Sequence, residues 1–140
     1  MSLFMWALVG AVSLAIASQL VKRGRLQTIS NLSDEEFVSL YERQFVGDKS
    51  DILRERRFIA KTLGLQYLKL RPDHRFSELL RLTGFLTEYH VGVSDLEAEL
   101  LERCQRAGLA RPAEFPATVG ELISKLLGAK QKLEETSPPH

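Results

Sequence analysis

The first feature of the hydrophobic pattern is an apolar stretch near the N-terminus that begins at Leu3 and ends at Val21. It contains no charged residue. As an α-helix its roughly 19 residues would extend about 28 Å, close to the hydrocarbon thickness of a bilayer. Trp6 lies near one end, where an amphipathic ring favours the membrane interface. The pattern therefore predicts a transmembrane helix with the lipid bilayer as its partner.

The charges that follow this stretch predict its orientation. Lys22, Arg23 and Arg25 come directly after it, and no Lys or Arg comes before it. The positive-inside rule then predicts a single-pass membrane protein with its N-terminus outside and its C-terminal domain in the cytoplasm. The alternative is a secretory signal cleaved after Ala17, because residues 15–17 read Ala-Ile-Ala, but such a signal normally begins with positive charge.

The rest of the chain alternates apolar residues at helical spacing with polar or proline-containing loops. No stretch alternates with period two, so we predict an all-α fold without a sheet. The predicted helices cover residues 33–45, 50–63, 76–82 and 94–107, and a short last helix follows Thr118. We predict that residues 65–75 form an ordered loop packed on the core. Residues 85–93 fit neither a helix nor a loop clearly.

Capping residues predict where these helices begin and end. Ser33 with Glu36, and Ser94 with Glu97, form Ser-x-x-Glu capping boxes. Ser50-Asp51 predicts the start of the helix between them. That helix is predicted to end at Gly64, because glycine is favoured just past a helix C-terminus.

Two helix faces carry further predictions. In the helix at 33–45, Phe37, Leu40 and Tyr41 share one apolar face, which would either pack on the domain or dock a partner. In the next helix, residues 54–57 read Arg-Glu-Arg-Arg. The mixture of charges predicts a solvated face.

Composition limits the possible functions. The formal net charge is only +1, so nothing indicates a nucleic-acid partner. Cys104 is the single cysteine and lies on an apolar stripe, which predicts a core residue. The three histidines, His74, His90 and His140, have no metal-site spacing. With no phosphate-binding loop and no paired-carboxylate motif, we predict neither catalytic nor metal-binding residues and no enzyme.

The chain therefore divides into four predicted segments. Residues 1–25 form the anchor with its basic flank, and residues 26–49 form a linker and an extra helix. Residues 50–128 form a small helical domain. Residues 129–140 are polar, end near Pro-Pro and are predicted to be a disordered tail.

The order of elements in residues 50–127 resembles the acyl carrier protein family. From Arg56 to Phe76, RRFIAKTLGLQYLKLRPDHRF contains a Leu-Gly-hydrophobic turn and then a Pro-Asp step before an aromatic residue. DLEAELLERCQRAGLARP is a helix followed by a Gly-hydrophobic-x-x-Pro turn, and ATVGELISKLL introduces the last helix with a Thr-Val pair. The resemblance implies a small acyl-carrier-like helical bundle.

The family's function rests on a serine, usually in Asp-Ser-Leu, that begins the second helix and carries phosphopantetheine. A helix N-terminus stabilises the phosphodiester charge, and a neighbouring acidic face recruits basic partner surfaces. This chain has no Asp-Ser-Leu, and the nearest candidate is Ser94 in Gly-Val-Ser-Asp-Leu. The acidic residues that would form its docking surface are Asp95, Glu97, Glu99 and Glu102.

Ser94 therefore separates two functional hypotheses. If it is only an N-cap, the chain is a membrane-tethered, non-catalytic, acyl-carrier-like module that acts in protein–protein interaction with an unknown partner and needs no cofactor. This is the hypothesis we favour. In the alternative, the chain is a functional membrane-anchored acyl carrier that bears phosphopantetheine on Ser94.

Overall fold

Six α-helices make up the regular structure of the residues described by the computed structural model, which are 2–27, 29–83 and 88–136. Within these ranges there is no strand, which confirms the predicted all-α class. The helices are α1 (Leu3–Gln27), α2 (Asp34–Glu42), α3 (Lys49–Leu63), α4 (Phe76–Thr83), α5 (Glu88–Arg106) and α6 (Val119–Thr136). Residues 84–87, between α4 and α5, lie outside the described residues.

Local capping bonds begin three of these helices. The Ser33 side chain accepts a hydrogen bond from the Glu36 backbone N–H at 3.2 Å, which confirms it as the N-cap of α2. Thr118 likewise accepts from the Glu121 N–H at 3.2 Å at the start of α6. The predicted start of α3 is wrong, because Asp48 is its N-cap and accepts from the Ser50 N–H at 2.8 Å.

The start of α5 also differs from the prediction. The helix is already formed at Glu88, so Ser94 lies within its second turn and is not an N-cap. Gly92 lies in the part of α5 before Ser94 and packs closely on the end of α3. A Cβ atom on Gly92 would lie 2.4 Å from the Thr62 carbonyl oxygen, so only glycine lets α5 approach the end of α3 this closely. This contact supports helical backbone ahead of Ser94.

The C-terminal segment is helical through Thr136, which contradicts a disordered tail over residues 129–136. Ala129 is buried in the core, and the Lys130 ammonium lies 2.8 Å from the Asp51 carboxylate of α3. These two contacts hold the later turns of α6 against α3. Residues 137–140 lie outside the described part of the chain.

The connection between α3 and α4 packs on the core, as predicted. Gly64 ends α3 with a φ of 70°, a value that glycine adopts without strain. A 3₁₀ turn at Tyr67–Lys69 follows, and Leu70 is fully buried. Further on, the backbones of Arg75 and Thr118 pair in a single antiparallel bridge, which ties the start of α4 to the start of α6.

The core lies between α3, α5 and α6, and α2 covers one side of it. Its centre is apolar, because these helices turn their aliphatic stripes inward. The fully buried aliphatic residues are Ile52, Ile59, Leu63, Leu70, Leu96, Val119, Leu122 and Ile123. Cys104 is also buried, as predicted. The long N-terminal helix α1 contacts α4.

Candidate functional site

The described side chains of α1 expose apolar groups on all sides of the helix. Leu3, Phe4 and Leu14 are 90%, 77% and 73% exposed, and the large apolar residues between them are 44% to 65% exposed. Consecutive residues point in different directions around a helix, so these groups do not form a single stripe. Among the described residues, no helix combines the length and apolar character required to cross a membrane. The predicted span from Leu3 to Val21 is therefore not confirmed.

Ser94 is exposed on the surface of α5. Its position in the second turn places it beyond the free N–H groups of a helix N-terminus, which belong to the first four residues. Both predicted roles of Ser94, capping the helix and carrying a phosphodiester that the helix N-terminus stabilises, need the serine to lie at the start of a helix. Neither applies at its position.

The acidic side chains of α5 that the structure describes fall into two groups. Asp95 and Glu97 are exposed and form no ion pair with the described side chains. Glu99 lies 2.8 Å from Arg103, and Glu102 is paired with Arg106, each one helical turn further on. Only the first two therefore offer unbalanced negative charge.

The predicted docking face of α2 is buried. Phe37 and Tyr41 are both 0% exposed, so they are core residues. The prediction that they dock a partner is therefore wrong. The reason is that α2 packs on α3, which uses the apolar face of α2 inside the molecule. The first of the two expectations for this face, packing on the domain, describes it correctly.

Arg56 is the residue that attaches α2 to the domain, and sequence reasoning missed it. Its side chain is fully buried rather than solvated, with the guanidinium carbon 4.4 Å from the centre of the Phe37 ring. It donates to Asp34 at 2.9 Å and to the backbone oxygens of Leu32 and Leu70 at 2.7 and 3.1 Å. Burial lowers the pKa of Arg56, and Asp34 opposes the change. An arginine remains charged in either case, so it is a permanent clamp.

Glu55 forms a second buried ion pair, which joins α3 to α5. Glu55 is 4% exposed, and its carboxylate lies 2.6 Å from the Arg103 guanidinium of α5. Burial alone lowers the pKa of Arg103, but its hydrogen bonds to Glu55 and Glu99 reverse this and raise it overall. Residues 55 and 56 stand three and four positions after Ile52, and this helical spacing is the signal that could have identified both as inward-facing.

A cavity lies next to this ion pair and is lined by both of its members. Its volume is about 250 Å³, and its charged lining consists of Arg54, Glu55, Arg103, Arg106 and Lys130. Each cation is already paired with a carboxylate of the chain. The second Glu55 oxygen has no hydrogen-bond partner among the described residues, and one water molecule could supply it.

No group of His, Cys, Asp and Glu side chains in the described residues could hold a metal ion. His74 is half-buried, and its Nδ1 accepts a hydrogen bond from the Arg71 backbone N–H at 3.2 Å. Burial lowers the pKa of His74, partly offset by Asp73. Its contacts give it a structural role in the turn before α4.

The linker between α1 and α2 is fixed to the domain by backbone oxygens. The Lys69 ammonium donates to the Ile29 carbonyl oxygen at 2.6 Å, and the Leu32 N–H donates to the Leu68 oxygen at 2.8 Å. Together with Arg56, these bonds hold residues 29–32 against the loop at 65–70. The end of α1 is therefore held close to that loop.

Comparison with known protein families, curated proteins and solved structures finds nothing similar to this chain.

Proposed function

We propose that the chain is a single-pass membrane protein whose helical domain is a non-catalytic, acyl-carrier-like module for protein–protein interaction at the cytoplasmic face. The observation that carries this proposal is α1. It is 25 residues long and would extend about 38 Å, more than the hydrocarbon thickness. Its apolar side chains are exposed on all sides, whereas soluble monomers rarely expose a large contiguous apolar surface.

The apolar stretch continues in the sequence beyond the side chains that the structure describes. Ser18, Gln19 and Val21 carry no charge, and their side chains lie outside the described part of α1. A helix that is apolar on every side favours insertion over lying flat at the interface, since an interfacial helix needs one polar face. Lys22, Arg23 and Arg25 after the stretch support a cytoplasmic domain.

The anchoring part of the proposal is tested by sodium carbonate extraction of membranes from cells that express the full chain. We expect the wild-type chain to stay in the membrane pellet. Val12→Arg places a charge near the centre of the helix, which opposes insertion by about 3 kcal/mol, and should shift the chain to the supernatant. Ser2→Arg is the matched control and should stay in the pellet. Wild-type chain in the supernatant would contradict the anchor.

The interaction part rests on the exposed side of α5. Val91 is 66% exposed, Ser94 and Asp95 are exposed about one turn further on, and Glu97 is exposed beyond them. An apolar group beside unpaired carboxylates suits a partner surface that is basic with an apolar centre. Arg56 and Glu55 are buried, so they do not contact a partner protein.

The test is co-purification from membranes in mild detergent, with the charges of α5 reversed. The double variant Asp95→Lys/Glu97→Lys should lose the proteins that wild-type retains. Glu135→Lys, an exposed acid on α6, is the control and should keep them. Equal retention by all three chains would contradict a docking role for α5.

The alternative remains a membrane-anchored acyl carrier with phosphopantetheine on Ser94. The exposed hydroxyl beside Asp95 favours it, and the position inside the helix weighs against it. Incubation of the full chain with coenzyme A and a phosphopantetheinyl transferase, followed by intact-mass measurement, separates the two. A mass gain of one arm that is absent in Ser94→Ala would replace the proposal above with this one.

A further inference from the structure

The short connection between α1 and the domain decides which face of the domain is nearest to the membrane. α1 ends at Gln27, and the Ile29 oxygen is bonded to Lys69. Two residues of chain reach at most about 7 Å. The loop at 65–70 is therefore held beside the end of α1.

The end of α1 lies at the level of the lipid headgroups if α1 is the proposed anchor, and the inference rests on that proposal. The apolar stretch ends at Val21, and the helix continues to Gln27. Six further residues add about 9 Å, which is close to the depth of the polar region on one side of a bilayer. Ile29 then emerges at the headgroup surface together with the loop that binds it.

The loop that is held beside the end of α1 forms one wall of a groove, and the end of α3 forms the other. We call it the α3-loop groove, and its lining consists of Arg57, Ala60, Lys61, Leu65, Gln66, Tyr67 and Leu68. Its floor is mostly apolar, and Tyr67 has its ring beside the Arg57 guanidinium, 4.8 Å away. Tyrosine and long cationic side chains are the residues that suit a membrane interface.

The charge of the groove complements an anionic surface. Arg57 has a side chain that is 61% exposed, and its nearest acid is Asp34 at 3.8 Å. Lys61 is exposed and forms no ion pair with the described side chains. Juxtamembrane cations of this kind are attracted by anionic lipids.

We propose that the α3-loop groove docks on the anionic headgroups of the same bilayer that holds α1. The domain then lies against the membrane with the loop at 65–70 facing the lipid. α6 ends beside the opposite end of α3, as the contact between Lys130 and Asp51 shows, so its last turns point away from the lipid.

The test uses the full chain reconstituted in phosphatidylcholine vesicles, with or without phosphatidylglycerol, that contain a lipid with a nitroxide on its headgroup. A fluorophore is attached at Gln66→Cys in the groove or, as control, at Gln131→Cys on α6. Both positions are exposed, and Cys104 is buried, so the wild-type chain is the labelling blank. We expect strong quenching at position 66 in anionic vesicles, weaker quenching in neutral vesicles, and little at position 131.

A matched pair of charge variants tests the cause. Lys61→Gln should lower the ratio of docked to undocked domain about fivefold, while Lys132→Gln on the last turns of α6 should leave it unchanged. Added salt should weaken quenching at position 66, because exposed charges are screened over about 10 Å at 0.1 M.

The outcomes separate this inference from the anchor on which it rests. Vesicles that float without the chain after carbonate treatment would overturn the anchor. Vesicles that carry the chain but quench positions 66 and 131 equally would overturn the docking alone. The docking would also be overturned if neutral vesicles and the Lys61→Gln variant both gave the same quenching at position 66 as the wild-type sequence gives in anionic vesicles.

Discussion

At the residue scale, the charges inside the domain explain how α2 is attached to it. Arg56 is fully buried and joins Asp34, the linker oxygen of Leu32 and the loop oxygen of Leu70 through one guanidinium. A planar group with several donors suits such a site, and lysine cannot reproduce it. The extra helix is therefore part of the domain rather than an appendage.

Replacement of Arg56 by methionine should destabilise the domain strongly. The change leaves buried backbone oxygens without a donor, and we expect the free energy of unfolding to fall by about 3 kcal/mol or more. The neighbouring Arg57→Met removes an exposed charge and should stay within about 1 kcal/mol of wild type. Urea unfolding followed by circular dichroism in mild detergent measures both. Equal effects in the two variants would contradict the clamp.

His74 predicts a loss of stability in mild acid. Burial lowers its pKa in the folded chain, so the unfolded chain binds more protons once the pH falls below its ordinary value of about 6.5. Stability should be constant above that value and fall as the pH drops through the folded pKa, with a slope below about 1.4 kcal/mol per pH unit. Protonation of Nδ1 also removes the acceptor for the Arg71 N–H.

The variant His74→Asn isolates this effect. It retains a side-chain acceptor but does not titrate, so its unfolding free energy should depend less on pH between 7 and 5 than that of wild type. Urea unfolding at several pH values supplies the comparison. The same dependence in both chains would assign the acid sensitivity to other groups.

At the element scale, the helices whose ends depend on local signals are the ones that sequence predicts best. Ser33, Thr118 and Gly64 act through partners within a few residues of themselves. Prediction fails where packing decides the boundary. Gly92 packs on α3 in the part of α5 that precedes Ser94. The ion pair between Lys130 and Asp51 holds α6 against α3 beyond the predicted end of α6. Both contacts join distant parts of the chain, which a local pattern does not reveal.

The position of Ser94 inside α5 gives a direct mutational prediction. Because it caps no helix, Ser94→Ala should change the free energy of unfolding by less than about 0.5 kcal/mol and could increase it, since alanine favours helix interiors. Ser33→Ala removes a true N-cap and should lower it by about 1 kcal/mol. Urea unfolding compares the two. A larger loss for Ser94→Ala would restore the predicted cap.

At the scale of the whole molecule, the arrangement is a long exposed apolar helix joined by a short fixed linker to a helical domain. The apolar helix was predicted from the length of an uncharged apolar stretch, and the helical class was predicted from periodicity. The sequence did not predict the fixed linker, because the bonds from Arg56 and Lys69 to backbone oxygens leave no trace in a pattern of side chains. The acyl-carrier resemblance and the docking role of Asp95 and Glu97 stay predictions.

The central claim is that α1 crosses a membrane and holds the domain on the cytoplasmic side. Labelling with a membrane-impermeant maleimide tests it most directly, in cells that express Ser2→Cys or Ser94→Cys with wild type as blank. We predict that the cysteine at position 2 reacts in intact cells and that the cysteine at position 94 reacts only after permeabilisation. Labelling of position 94 in intact cells, or release of the chain into the medium, would contradict the account.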